Sequence, residues 1–216
     1  MRLRNIPRAE GVLNESELVI KEPESLKGRW STEIFKNRHP VHIEIGMGKG
    51  QFLIELASQN PDVNYIGIER YSSVLLRAVE KLDEDAEAFN LRFLCVDAAD
   101  ITELFAPAEI QRIYLNFSDP WPKARHARRR LTSQEFLSRY DKILSGDGQI
   151  EFKTDNRGLF DFSVEQIQNS GIFKLTACTY DLHRDKLMNQ GNILTEYEAK
   201  FSSMNHPICK LVAARK

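Results

Sequence analysis

Apolar positions along the chain fall into two alternating rhythms. Short runs rich in β-branched and aromatic residues occupy positions 41–47, 64–68, 91–96, 113–117, 149–153, 173–180 and 208–213. Their length and make-up predict seven strands. Stretches with a helical spacing of apolar residues separate the first five, at 51–58, 73–82, a short one at 101–105, and 133–144, and another at 159–169 follows the fifth. Strands that alternate with helices predict an α/β fold, a Rossmann-like, doubly wound, mostly parallel sheet. The last two strand candidates have no long helix between them, which predicts a C-terminal antiparallel hairpin. Local signals refine the helix ends. Thr132 followed by Glu135 has the spacing of a capping box, and Gly146 stands where a helix would stop.

A chain of 216 residues suits one α/β core better than two, so residues 1–216 are expected to form a single domain, with 1–30 as a basic N-terminal arm and lead-in. No run reaches the roughly 18 apolar residues of a spanning helix, and the first residues lack the apolar centre of a signal peptide. A cytoplasmic protein without membrane contact is expected. Cys95, Cys178 and Cys209 show no paired spacing, and Cys95 and Cys209 lie in apolar runs, so the thiols are read as buried and structural. The five histidines are scattered, and no metal site is expected.

The formal charge, −1 from 30 basic and 31 acidic residues, excludes a uniformly basic surface. The distribution says more than the sum. Residues 123–130 carry five fixed positive charges and no acid, whereas 83–87 hold four acids in five positions. Arg2, Arg4 and Arg8 supply a second basic segment.

Candidate chemistry gathers at the predicted strand ends. The first strand runs into Glu44-Ile45-Gly46-Met47-Gly48-Lys49-Gly50 directly before a helix. Glycines in such a turn adopt positive φ and bring backbone N–H groups, with the helix dipole behind them, close to a ligand. Gln51 stands where a dinucleotide-binding turn has its third glycine, so a pyrophosphate fits less well. Taken alone, the glycines also suit a plain tight turn. Glu69 ends the second strand about twenty residues after the glycines, where such sheets place an acid on ribose hydroxyls. Asp97 ends the third, placed to accept from an adenine amino group, and Glu44 lies below the turn for a methionine ammonium. A ribose, an adenine and a cationic amino-acid tail together describe S-adenosylmethionine. The terminal hairpin also suits a methyltransferase sheet better than a dehydrogenase one.

The fourth strand runs into Asn116-Phe117-Ser118-Asp119-Pro120-Trp121-Pro122-Lys123. Its two prolines stiffen a loop at the carboxyl edge of the sheet, where substrates meet cofactors. Asp119 is the catalytic candidate, and Trp121 is suited either to stacking on a planar base or to burial in the core. The basic run follows at once, and its clustered Arg and Lys suit phosphates. Two further segments belong to the same edge. Lys153-Thr154-Asp155-Asn156 closes the fifth strand, where Asp155 suits a base edge, and Thr195-Glu196-Tyr197-Glu198 precedes the last, with Thr195 and Glu198 also spaced as a capping box.

These residues resemble the bacterial tRNA (guanine-N7-)-methyltransferases over nearly the whole chain. The matching motifs are Glu44-Ile45-Gly46-x-Gly48-x-Gly50, Asp119-Pro120-Trp121-Pro122-Lys123-x-Arg125-His126-x-x-Arg129-Arg130, Phe152-Lys153-Thr154-Asp155-Asn156 and Thr195-Glu196-Tyr197-Glu198. The resemblance implies methyl transfer to guanine N7 in the tRNA variable loop, at position 46. It also implies that Glu44, Gly46, Gly48, Gly50, Glu69, Asp97 and Asp119 surround S-adenosylmethionine. Lys123, Asp155, Thr195, Glu196, Tyr197 and Glu198 then match substrate positions, and Arg125, His126, Arg128, Arg129 and Arg130 an RNA-contacting stretch. Family members occur as monomers and as homodimers. Two rival readings are a base amino-group methyltransferase, whose loop has a different order of aromatic and proline, and a non-catalytic RNA-binding module on the same fold.

Overall fold

The computed structural model describes residues 6–82, 89–202 and 206–216, and the chain divides into two compact units, Met1–Ala106 and Pro107–Lys216. Among the described residues there are seven strands, interleaved with helices. The first unit contains α1 (Ala9–Glu15), β1 (Val41–Ile45), α2 (Gln51–Gln59), β2 (Asn64–Ile68), α3 (Ser72–Leu82), β3 (Leu91–Leu94) and α4 (Ile101–Leu104). Its strands lie in the order β3-β2-β1, and both pairings are parallel, with Val41 opposite Asn64 and Tyr65 opposite Leu91. β2 is buried at every position, as a parallel strand covered on both faces must be. On α3, Leu75, Leu76, Ala78, Val79 and Leu82 are buried while Arg77 and Lys81 face solvent. Each large apolar side chain so buried contributes roughly 1.5–3 kcal/mol.

Residues 6–30 of the lead-in segment pack within the first unit. α1 precedes a parallel bridge from Val19 to Phe93. Fully buried Trp30 donates its indole N–H to the Leu104 carbonyl at 2.9 Å and packs on Phe105. Arg8 pairs with Glu80 of α3 and so is engaged within the fold. Arg2, Arg4 and the acidic run 83–87 lie outside the described residues.

The second unit contains β4 (Ile110–Asn116), α5 (Gln134–Ile143), β5 (Leu144–Thr154), α6 (Arg157–Asn169), β6 (Phe173–Thr179), α7 (Glu196–Ser202) and β7 (Cys209–Arg215). The strand order is β4-β5-β7-β6, with β4 and β5 parallel and β7 antiparallel to both β5 and β6. The expected terminal antiparallel pair is therefore present. Ile113, Leu115, Ile150, Phe152, Leu211 and the α6 residues Phe160 and Ile167 are buried here, with the Phe152 and Phe160 rings stacked.

Three local expectations are corrected. Thr132 does not cap α5: the N-cap is Ser133, with no side-chain capping bond. The Thr132 hydroxyl bonds instead to Ser163 of α6 at 2.7 Å, because packing between helices captures a buried hydroxyl before its own helix does. Gly146 does not end α5 either. The helix passes at Leu144 straight into β5, and the register shifts between the pairs Ile110–Leu144 and Arg112–Gln149, so Ser145 to Gly148 forms a bulge in the strand. Finally, only Cys209 of the three thiols is buried. β3 stops at Leu94, one residue short of Cys95, and Cys178 lies on the exposed face of outermost β6.

No helix among the described residues is long and apolar enough to cross a membrane. Nor do they hold a cluster of three or more His, Cys, Asp or Glu side chains arranged for a metal.

Candidate active site

The first unit brings the glycine turn and the second-strand acid together. Gly46, Gly48 and Gly50 all adopt positive φ, at 73°, 60° and 75°. Gly50 is the N-cap of α2, and a Cβ there would meet Ala78 of α3 at 2.9 Å, so this glycine serves helix packing. Gly48 differs, because a Cβ on it would meet nothing within 4 Å. Its N–H donates to Glu69 Oε2 at 3.2 Å, and the Tyr71 N–H donates to Glu69 Oε1 at 3.0 Å. Two backbone donors thus fix a nearly buried carboxylate at the lip of the turn. Glu44, at 2% exposure, is the penultimate residue of β1.

Asp97 follows β3 and caps the 3-10 turn Ala98–Asp100 by accepting from the Ala99 N–H at 2.9 Å. Its second oxygen pairs with Arg70 at 3.2 Å, at a partly exposed position. Cys95 stands beside these acids, and partial burial, then the charges of Glu69 and Glu10, push its thiol up. Open space beside Gly48, oriented N–H groups and two carboxylates at strand ends fit a nucleoside with ribose hydroxyls and an amino group.

In the second unit, Asp119 is exposed between two backbone outliers. Phe117 and Trp121 sit at φ 52° and 40°, conformations that cost a non-glycine residue about 1–3 kcal/mol and persist only where contacts enforce them. Both are held. The Phe117 N–H donates to the Lys153 carbonyl at 2.9 Å, and its ring packs on Tyr197 at 4.9 Å. Trp121 is clasped through its carbonyl by Arg130, while its half-buried ring meets His126 edge-on and lies beneath the Arg129 guanidinium at 5.0 Å. Neither of the two roles foreseen for Trp121 describes this arrangement fully, since one face is taken by a cation.

The basic run forms a 3-10 helix, Ala124–Arg129. Lys123, Arg125, Arg128 and Arg129 are exposed, and Arg128 lies 4.0 Å from Glu135. Arg130 is turned inward.

Behind the loop lies an ion pair that sequence reasoning did not foresee. Lys153 Nζ donates to Glu198 Oε2 at 2.7 Å, to the Ile193 carbonyl at 2.9 Å and to Asn192 Oδ1 at 3.1 Å. Asn192 donates in return to Glu198 Oε1 at 2.8 Å, and His183 Nε2 lies 3.4 Å from the same oxygen. Both charged side chains are almost wholly buried, at 4% and 0% exposure. Each proton and lone pair then needs a partner, which this network supplies. The capping reading of Thr195 is realised on one side: its hydroxyl accepts from the Glu198 N–H at 2.9 Å, while the Glu198 carboxylate goes to Lys153. Tyr197, the second residue of α7, donates its hydroxyl to Asp155 Oδ2 at 3.3 Å and stacks on Phe201. Partial burial and then the Asp155 charge push its phenol up. The structure thus brings Asp155, Tyr197 and Phe117 together. Glu196 is exposed on the same helix turn.

The chain is similar to known proteins. A family model described as "Putative methyltransferase" matches residues 38–211. A tRNA (guanine-N(7)-)-methyltransferase of Lachnoclostridium phytofermentans is 59% identical, over 100% of this chain and 99% of its own length. The enzyme of the same name from Bacillus subtilis is 49% identical over 96% of each chain. Among solved structures, one titled an antibiotic related methyltransferase superposes with a TM-score of 0.61, covering 86% of this chain and 91% of its own, at 18% identity. A likeness at that identity shows the shared fold.

Proposed function

This chain belongs to the tRNA (guanine-N7-)-methyltransferase family, and from that premise we propose that it methylates N7 of a guanine in the tRNA variable loop, position 46, in the cytoplasm, with residues 1–216 acting as one methyltransferase domain. The cofactor, S-adenosylmethionine, supplies a methyl group already activated by a sulfonium. The observation that supports the reading is the bond from the Gly48 N–H to Glu69, which holds a carboxylate beside an open glycine turn. Glu69 holds the ribose, Asp97 accepts from the adenine amino group, and Glu44 with Gly46, Gly48 and Gly50 shapes the methionine end.

Guanine N7 has an in-plane lone pair and no proton. It can therefore take up a methyl group without giving up a proton, so none of these residues would need to act as a general base. Positioning dominates, and alignment of a bound nucleophile can supply much of roughly 7–11 kcal/mol. Asp119 accepts from the guanine N1–H and amino group, a contact that strengthens as the base becomes cationic. Asp155, oriented by the Tyr197 hydroxyl, reads the same edge of the base or its neighbour. Lys123 and the exposed Glu196 and Tyr197 complete the substrate contacts, while Thr195 and the buried Glu198 hold that segment in place. Arg125, His126, Arg128 and Arg129 on the exposed 3-10 helix meet tRNA phosphates.

The test is incubation of the full chain with labelled S-adenosylmethionine and unmodified tRNA, followed by borohydride and aniline cleavage. Label at a single aniline-sensitive guanine is expected. Label on an exocyclic amino group, or none at all, overturns the proposal.

A further inference from the structure

Four arginines stand within residues 125–130, but the structure treats one of them differently. Arg125, Arg128 and Arg129 are exposed, whereas Arg130, which ends the 3-10 helix as its C-cap, is only partly so. Its guanidinium points back along the chain. Nε donates to the Pro120 carbonyl at 3.0 Å and Nη2 to the Trp121 carbonyl at 3.1 Å. The other side is covered by the Phe162 ring of α6, whose centroid lies 4.3 Å from the guanidinium carbon.

Two successive carbonyls along one edge of a planar fork form an arrangement that only arginine satisfies, since a lysine ammonium on a flexible stem presents no matching pair of parallel donors. The carbonyls belong to the residues immediately after Asp119, and Trp121 has the strained φ of 40°. With two donors engaged and an aromatic ring behind it, this guanidinium is poorly placed to reach a phosphate.

We propose that Arg130 is a positioning residue, a clasp between α6 and the Asp119 loop that holds Asp119 in its working orientation and contributes little to tRNA affinity. The proposal rests on the role given above to Asp119, and it departs from the expectation that all four arginines face RNA.

The experiment compares Arg130→Lys and Arg130→Met with Arg128→Ala in the full chain. The two tryptophans, Trp30 and Trp121, make the loop visible without activity. Trp30 is 0% exposed, so acrylamide quenching of fluorescence reports on Trp121. Both Arg130 variants are expected to raise quenching and to lower the single-turnover rate at saturating tRNA by about ten- to a hundredfold, the cost of a misplaced catalytic group. The slope of log tRNA affinity against log salt should stay that of the unaltered chain. Arg128→Ala should instead reduce that slope by roughly 0.7–0.9, the loss of one phosphate contact. Should Arg130→Met fail to fold by circular dichroism, Arg130→Lys decides alone, since it keeps the charge and loses only the fork. Unchanged quenching with full activity in Arg130→Lys overturns the clasp, as does a salt slope reduced by one contact at an unchanged saturated rate. If the unaltered chain transfers no methyl group to guanine, the proposed function falls, and the quenching comparison still decides the clasp.

Discussion

Asp119 sits in a short stretch whose backbone is strained on either side, at Phe117 and Trp121, and such strain is maintained where geometry matters more than stability. Asp119→Ala is expected to lower the maximal rate of methyl transfer by more than about tenfold, or 1.4 kcal/mol, with tRNA binding little changed. Single-turnover kinetics check this, and an unaltered rate removes Asp119 from catalysis. The loop that carries Asp119 was legible in the sequence because its prolines and its place after a strand are local facts. The clasp on its loop was not, because Phe162 is remote in the chain and nothing in the spacing aims Arg130 at it. Cys209 carries a different residue-scale consequence. Burial, opposed by the Arg157 charge, pushes its thiol up to about 11. A folded-state value above the unfolded one means that its stabilising effect is complete below the ordinary thiol range and is lost as pH rises towards 11. Chemical denaturation between about pH 9 and 11 should therefore show falling stability, with a shallower fall in Cys209→Ala. Identical slopes in the two chains would falsify the assignment. Tyr140, also pushed well above its usual value by burial, leaves a remaining decline at the upper end of that range.

At the scale of elements, strands were easier to read than helix ends. β2 runs over Asn64–Ile68, as expected, since a short run built on Tyr65, Ile66 and Ile68 needs only burial to become a parallel strand. Caps depend on which partner a hydroxyl finds. Thr132 finds Ser163, whereas Asn156 accepts from the Leu159 N–H and starts α6 at Arg157, two residues before its helical periodicity becomes visible, with Gly158 in the first turn hiding it. α7 is fixed to β5 by the buried pair of Lys153 and Glu198. Breaking such a pair strands one charge in the interior, so Glu198→Ala is expected to cost about 3–5 kcal/mol of unfolding free energy. Replacing both residues with apolar side chains of similar volume should restore much of the loss. Denaturant unfolding monitored by circular dichroism tests both. A Glu198→Ala midpoint equal to that of the unaltered chain shows that the carboxylate is not buried with Lys153.

For the whole molecule, cofactor binding has a thermodynamic signature independent of turnover. S-adenosylmethionine at about a hundred times its Kd should stabilise the folded chain by about 2.7 kcal/mol, seen as a rise in Tm by differential scanning calorimetry. Glu69→Ala and Asp97→Ala should reduce the rise, and a Tm indifferent to the ligand in the unaltered chain removes the proposed cofactor residues together. The α/β alternation, the terminal antiparallel pair, the glycine turn and the acids after β2 and β3 were determined by sequence alone. Each is written in the spacing of neighbouring residues, where the periods of strand and helix and the φ freedom of glycine act locally. Tertiary structure alone decided which charges are spent inside the fold. Arg130 reaches carbonyls 9 and 10 residues back, and Lys153 reaches Glu198 45 residues on. A charged side chain looks alike in sequence whether it faces solvent or a partner. Its cost of desolvation is met only by groups that folding brings to it.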